Sequence, residues 1–268
     1  MLTTRPVPGT PNWIDLGSPD IDASVAFYAG VFGWTYQPAA PGGDGGGYGF
    51  FQRDGGIVAA VGPLSEHGAT PSWTVYFHTS DADATRRAVE QAGGTVRTEP
   101  DEVPGAGRLA AFTDPTGADF AVWEPGGITG LDTVMEPCAL IWTELYTTDL
   151  AAAREFYRSV FSWTYQEMDA GDGSTYTLLS APGGGDGEDS SHGGMLQLGP
   201  EHLAAGSRSE WHPYFGVRDC DAAFAAATGH GAGTLIPPMD VPGVGRLAMV
   251  KDPAGAVFAL LKGDPSMT

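Results

Sequence analysis

Two short strings in this sequence invite a chemical reading before anything else. Trp13 stands two positions before Asp15, and Trp142 two positions before Glu144, which Tyr146 follows at the same spacing. In an extended strand, residues i, i+2 and i+4 share a face, so each string presents an indole beside a carboxylate. The same alternation groups Thr74, Tyr76 and His78 in one stretch, His212 and Tyr214 in a second, and Asp119 and Trp123 in a third. An indole floor with one carboxylate and one imidazole suits a flat, partly polar organic molecule, whose ring stacks while the polar groups orient it. Glu144, His212 and Asp15 are the acid–base candidates. Trp13, Trp142, Tyr146, Thr74, Tyr76, His78, Tyr214, Asp119 and Trp123 are the ligand-contact candidates. A plainer reading stays open, in which Trp13 and Trp142 only fill core space. Asp15 and Glu144 on such a floor are costly unless paired or hydrated, which favours a role for them. Asp119 is a candidate partner that would raise the pKa of His78.

Strands and helices must hold these residues in place. Asn12–Gly17 reads as a strand. Ser18-Pro19 then reads as a helix cap with proline at the first helical position, and Val25, Tyr28, Val31 and Phe32 recur at helical spacing until Gly33. Short strands follow near 34–36, 48–52 and 57–61, then a strand over 73–78 and a helix over 81–92 that Gly93-Gly94 ends. Strands near 95–97, 108–112 and 118–123 complete the pattern.

The whole pattern then repeats. FYAGVFGWTYQ at 27–37 returns as FYRSVFSWTYQ at 156–166, with eight of eleven positions identical. VPGAGRLAAFTDPTGADFAV at 103–122 returns as VPGVGRLAMVKDPAGAVFAL at 241–260, with thirteen of twenty identical. Two blocks recurring in the same order mark a duplicated domain. The fold class is α+β, with four tandem βαβββ modules per chain and two domains at 8–126 and 137–263. The Gly-rich runs at 41–47 and 181–194 read as mobile loops and not as phosphate cradles, since neither sits between a strand and a helix. Arg108 and Arg246, in VPGAGR and VPGVGR, read as surface arginines at hairpin turns. His67, His192, His202 and His230 fall in predicted loops or at a helix end and carry no assigned chemistry.

The helix ending FYxxVFxW, the stretch WTVYFHTSDADATRRAVEQAGG and the closing DPTGADFAVWEP, with their second-copy counterparts, resemble the vicinal oxygen chelate superfamily of glyoxalases, bleomycin-resistance proteins and extradiol dioxygenases. The likeness is strongest to two-domain actinomycete glyoxalase-like proteins. It implies cupped sheets with the site inside each cup. In metal-dependent members, ligands stand on the first, fourth, fifth and last strands of a domain. Carried over, those positions hold Trp13, Thr74 and Ala121 in one copy, and Trp142, His212 and Ala259 in the other, with no carboxylate on the fourth strand around 58–60 or 195–197. Only His212 is a competent donor among them, so no metal cofactor is expected. For His212 the roles of residual ligand, general base and structural histidine all stay open.

Composition narrows the partners. Thirteen Lys+Arg against 33 Asp+Glu leave a formal net charge of −20, which repels nucleic-acid phosphates and anionic membranes. The N-terminal MLTTRPVPGT lacks the apolar stretch of a secretory signal, and no 18 apolar residues run together, so a cytoplasmic protein is expected. Cys138 and Cys220 have no ligand spacing and read as small buried hydrophobes. The expected function is metal-independent binding of a small aromatic or polyketide-like molecule, for sequestration or biosynthetic conversion. Glu144 and His212 would serve as acid and base in the second case. The alternative is a metal-dependent lyase or dioxygenase with unorthodox ligands. Monomer and homodimer are both compatible with the sequence.

Overall fold

Four aspartates set the starts of the long helices. Asp20, Asp81, Asp149 and Asp219 stand in extended conformation, and each side chain accepts a hydrogen bond from the backbone N–H three residues on, at Ala23, Ala84, Ala152 and Ala222. Each such cap stabilises its helix by about 1 kcal/mol. The helices they start are α1 (Ile21–Phe32), α2 (Ala82–Gln91), α3 (Leu150–Phe161) and α5 (Cys220–Gly229), and a short α4 (Pro200–Ala204) precedes the last of these. The first cap is therefore Asp20 and not Ser18. The Ser18 hydroxyl instead bonds the Ser24 hydroxyl at 2.8 Å, tying strand to helix.

This computed structural model describes residues 1–40, 46–64, 68–169, 175–183 and 191–264. His67 and much of both Gly-rich runs lie outside the described residues. The remaining elements are sixteen strands: β1 (Pro11–Ser18), β2 (Thr35–Pro38), β3 (Gly49–Arg53), β4 (Gly56–Pro63), β5 (Ser72–His78), β6 (Thr95–Val103), β7 (Gly107–Thr113) and β8 (Asp119–Pro125), followed by β9 (Leu140–Thr147), β10 (Thr164–Asp169), β11 (Thr175–Ser180), β12 (Ser191–Gln197), β13 (Glu210–Gly216), β14 (Gly233–Val241), β15 (Gly245–Lys251) and β16 (Val257–Gly263). The expected βαβββ order thus occurs four times. The strands form two eight-stranded sheets, ordered β2-β3-β4-β1-β5-β8-β7-β6 and β10-β11-β12-β9-β13-β16-β15-β14. Within each module the first and last strands pair in parallel, as in Asp15 opposite Ala60 and Glu144 opposite Gly194, and the rest pair antiparallel.

Packing does not follow chain order. One compact unit gathers residues 1–13, 74–130 and 142–212, and the other gathers 14–73, 131–141 and 213–268. In the second of these, Tyr28 on α1 is fully buried among Phe32, Trp34, Trp73 and Phe258. Its hydroxyl donates to Asp252 Oδ2 at 3.1 Å and accepts from the Trp73 indole at 3.1 Å. In the first unit Tyr157 on α3 has the corresponding surroundings, and its hydroxyl accepts from the Trp211 indole at 2.8 Å. Tyr157 also acts on Asp114, whose Oδ1 takes backbone N–H bonds from Thr116 and Ala118. The two repeated motifs therefore meet crosswise. The FY of one copy rests on the DPxG aspartate of the other, and the bonds to each buried carboxylate offset part of its desolvation, although at Asp114 burial still outweighs them and raises the pKa.

Two local expectations are corrected. His192 lies in β12 and not in a loop. Leu179 pairs with Gly193 and Ser180 with Ser191, so His192 is the extra residue of a β-bulge, and its ring packs 5.0 Å from Trp163. Cys138 is half-buried in a turn at φ 61, while Cys220 is buried as expected. Arg108 and Arg246 do sit beside hairpin turns, but each is pinned to a first-turn acid of a helix, Asp83 at 2.9 Å and Asp221 at 2.6 Å.

Candidate functional site

The alternation of β9 and β13 decides what faces where. Trp211 bonds Tyr157 on α3, so its neighbour His212 points to the opposite, helix-distal face of the sheet. On β9, Trp142, Glu144 and Tyr146 share one face, while Thr143 and Leu145 between them are fully buried. The rings of Tyr146 and His212 are 5.2 Å apart. These four residues, together with Tyr176 of β11, belong to one compact unit.

Tyr176 completes the row. The Trp142 indole N–H donates to the Tyr176 oxygen at 2.8 Å, and the Tyr176 hydroxyl is bonded in turn to Glu144. Burial first, and then the Glu144 charge, hold the Tyr176 pKa well above its ordinary value, so the phenol keeps its proton and donates it to the carboxylate. Glu144 is itself 4% exposed. Gly194 on β12 makes room for this arrangement, since a Cβ there would overlap the Tyr176 hydroxyl. Burial pulls the His212 pKa down to about 4, so its imidazole is neutral at pH 7. The exposed Glu210 carboxylate lies 3.8 Å from its Nε2. Tyr214, two positions on, is buried in the other unit.

The first copy shares only part of this. Tyr48, at the repeat position of Tyr176, donates to Asp15 Oδ2 at 3.2 Å. Ala60 stands opposite Asp15 where Gly194 stands opposite Glu144, and Tyr48 lies over Gly62 instead. Trp13 is buried and stacks on Trp123 with ring centroids 6.4 Å apart, and the Trp123 indole is anchored to the Ile128 carbonyl at 2.8 Å. Thr74, Tyr76 and His78 alternate along β5 as half-buried residues, and His78 pairs with Trp123 in the ladder. The expected pairing of His78 with Asp119 does not form. Asp119 is exposed at the start of β8 and bonded to Arg97 at 2.9 Å, whereas His78 Nδ1 is buried with no hydrogen-bond partner among the described residues. Burial accordingly lowers the His78 pKa.

Tyr48 and Tyr176 are the residues that reading the first, fifth and last strands of each copy misses. Their signal was present in the sequence, as a tyrosine at matching places of the two copies.

With this geometry in place, comparison with known proteins is informative. The family model for the Glyoxalase/Bleomycin resistance protein/Dioxygenase superfamily matches residues 10–122 and again 139–260. The chain belongs to this superfamily. Among relatives, the Streptomyces sp. anthracycline biosynthesis protein DauV is 40% identical over 274 residues, covering 97% of this chain and 95% of its own. CFP32 of Mycobacterium tuberculosis, which carries a provisional glyoxylase name, is 37% identical over 260 residues, covering 96% of each. The Mn(II)-bound glyoxalase of Novosphingobium aromaticivorans superposes with a TM-score of 0.62 at 19% identity, over 95% of this chain and 82% of that one, a likeness of fold.

Metal-bound members of the superfamily raise the question of a metal here. Among the described residues, no three His, Cys, Asp or Glu side chains converge closely enough to hold an ion. On the second-copy face the described donors are Glu144, His212 and the exposed Glu210, which do not converge on one point, and Glu144 is already bonded to Tyr176. Transition metals need three or four such donors in fixed geometry, so this donor set does not fit one. No helix among the described residues is long and apolar enough to cross a membrane.

Proposed function

We propose that the second glyoxalase-like domain binds a small planar aromatic molecule of the polyketide type without a metal, either to hold it or to assist its conversion. The carrying observation is the bonded row Trp142–Tyr176–Glu144, in which the Trp142 indole N–H fixes the Tyr176 oxygen and the Tyr176 hydroxyl is bonded to one buried carboxylate. Fixed rings stack on a flat ligand at little entropic cost, and a buried carboxylate accepts a phenolic O–H strongly. With a pKa of about 4, His212 serves as a neutral hydrogen-bonding group and is a weak base at pH 7. If conversion occurs, Glu144 is the proton acceptor and the Tyr176 hydroxyl the group that can return a proton. The relative DauV, similar along its full length and named for anthracycline biosynthesis, supports a polycyclic aromatic ligand.

The test is titration with 1,8-dihydroxyanthraquinone, followed by tryptophan quenching. A Kd of about 1 to 100 μM is expected, weakened roughly tenfold by Glu144→Gln or Tyr176→Phe and unchanged by Tyr48→Phe. Absence of quenching, or equal sensitivity to Tyr48→Phe, would sink the reading. Near-stoichiometric transition metal in untagged protein prepared without chelator would replace it with a metal-dependent one.

A further inference from the structure

A surface cavity of about 320 Å³ lies within the unit that holds α1 and α5, and none of the face residues is among those that line it. Val31 of α1 and Ala222, Ala223 and Ala226 of α5 give it an apolar floor of small side chains. Arg53, Arg218, Cys138 and Asp219 supply its polar rim.

The two arginines lack the close carboxylate partner that five others hold. Arg86, Arg97, Arg108, Arg154 and Arg246 each hold a carboxylate at 2.6 to 2.9 Å. Arg53 reaches only the exposed Asp54, through Nε at 3.6 Å, and its Nη1 is buried with no hydrogen-bond partner among the described residues. Arg218 has no ion pair among the described residues. In a chain with 33 acidic and 13 basic side chains, two cations left beside a hollow call for a physical reason. A buried guanidinium N–H without an acceptor costs about 1–3 kcal/mol or more, which an arriving acceptor would relieve. Both cations act on one point, for each favours the thiolate of Cys138, although burial outweighs them and leaves that thiol's pKa raised. Asp219 opposes an anion, but its Oδ1 is committed to the Ala222 N–H at 3.0 Å as the helix cap.

We propose that this cavity is a second binding site, separate from the aromatic-binding face, for a small organic carboxylate. Its anionic end sits between Arg53 and Arg218, and its hydrocarbon body lies on Val31, Ala222, Ala223 and Ala226. Bidentate geometry makes guanidinium the natural partner of a carboxylate, and the apolar floor distinguishes an organic acid from an inorganic ion.

Cys138 provides the reporter. In a Cys220→Ala background, its labelling by neutral 4,4′-dithiodipyridine is followed with rising benzoate or acetate. Benzoate at about 10 mM should slow labelling at least fivefold, with acetate weaker by a similar factor. Arg218→Gln, at an exposed position that leaves folding intact, should raise the benzoate concentration needed about tenfold, and Arg53→Gln should do the same. Three outcomes would overturn the proposal: no protection by benzoate, protection that both arginine variants retain, or equal protection by acetate and benzoate.

Discussion

His192 shows what one misplaced polarity does to a core. The first copy has Val58 as the extra residue of the corresponding bulge, between the pairs Phe51–Ala59 and Gln52–Ile57. The second copy puts an imidazole there, 1% exposed, with both ring nitrogens lacking partners among the described residues. Burial pulls its pKa from 6.5 to about 3. Because the folded value is the depressed one, the unfolded chain takes up the proton first as pH falls. The stability that depends on a neutral ring is therefore complete above pH 6.5 and lost progressively between 6.5 and 3. At pH 5 this one group accounts for a loss of about 2 kcal/mol. His212, at about 4, titrates in the same sense and supplies a similar share. Urea unfolding at pH 7 and pH 5 should show the acid loss reduced by about 2 kcal/mol in His192→Val, with the His212 share remaining. An acid loss identical in the variant would mean that His192 is hydrated or paired in solution.

At the scale of elements, the crosswise rest of α1 on the turn after β15 makes Tyr28 a sensitive position. Tyr28→Phe keeps the ring but strands the Trp73 indole N–H and removes the donor to Asp252 Oδ2. Chemical denaturation should register a loss of about 1–3 kcal/mol. A change within a few tenths would show that water replaces the hydroxyl. Much of this architecture was legible beforehand. The 3.6-residue spacing ending at Gly33, the Gly93-Gly94 stop and the two recurring blocks are local signals, and they give the right elements with boundaries off by a few residues, as at Ser18, where the cap is Asp20. What could not be read depends on register between strands. That Tyr176 spans β12 to reach Glu144 requires knowing that Gly194 stands opposite Glu144. That Asp119 goes to Arg97 and not His78 requires knowing that Thr113 of β7 stands between Thr95 and Asp119, which lets Arg97 reach across β7 to the start of β8.

For the molecule as a whole, the discontinuous units have a direct consequence. Residues 1–130 contain parts of both units and the whole of neither. As a monomer this half lacks Tyr157 for its Asp114 and Asp252 for its Tyr28. The separate halves 1–130 and 131–268 should therefore show no cooperative urea transition as monomers, and mixing them should restore one, read by tryptophan fluorescence. A monomeric 1–130 that unfolds cooperatively would contradict the crosswise account.

The exchange of partners also bears on how such a duplicated chain can change. Tyr28 and Asp252 are 224 positions apart, so an alteration in one repeat's scaffold is tested against the other, and the two frameworks are constrained to drift together. The helix-distal residues follow a different rule. Trp13 meets Trp123, Tyr48 meets Asp15 and Trp142 meets Tyr176, each within its own repeat. A change there is settled locally, which leaves one copy free to specialise for a new ligand while its sibling continues to hold the shared frame.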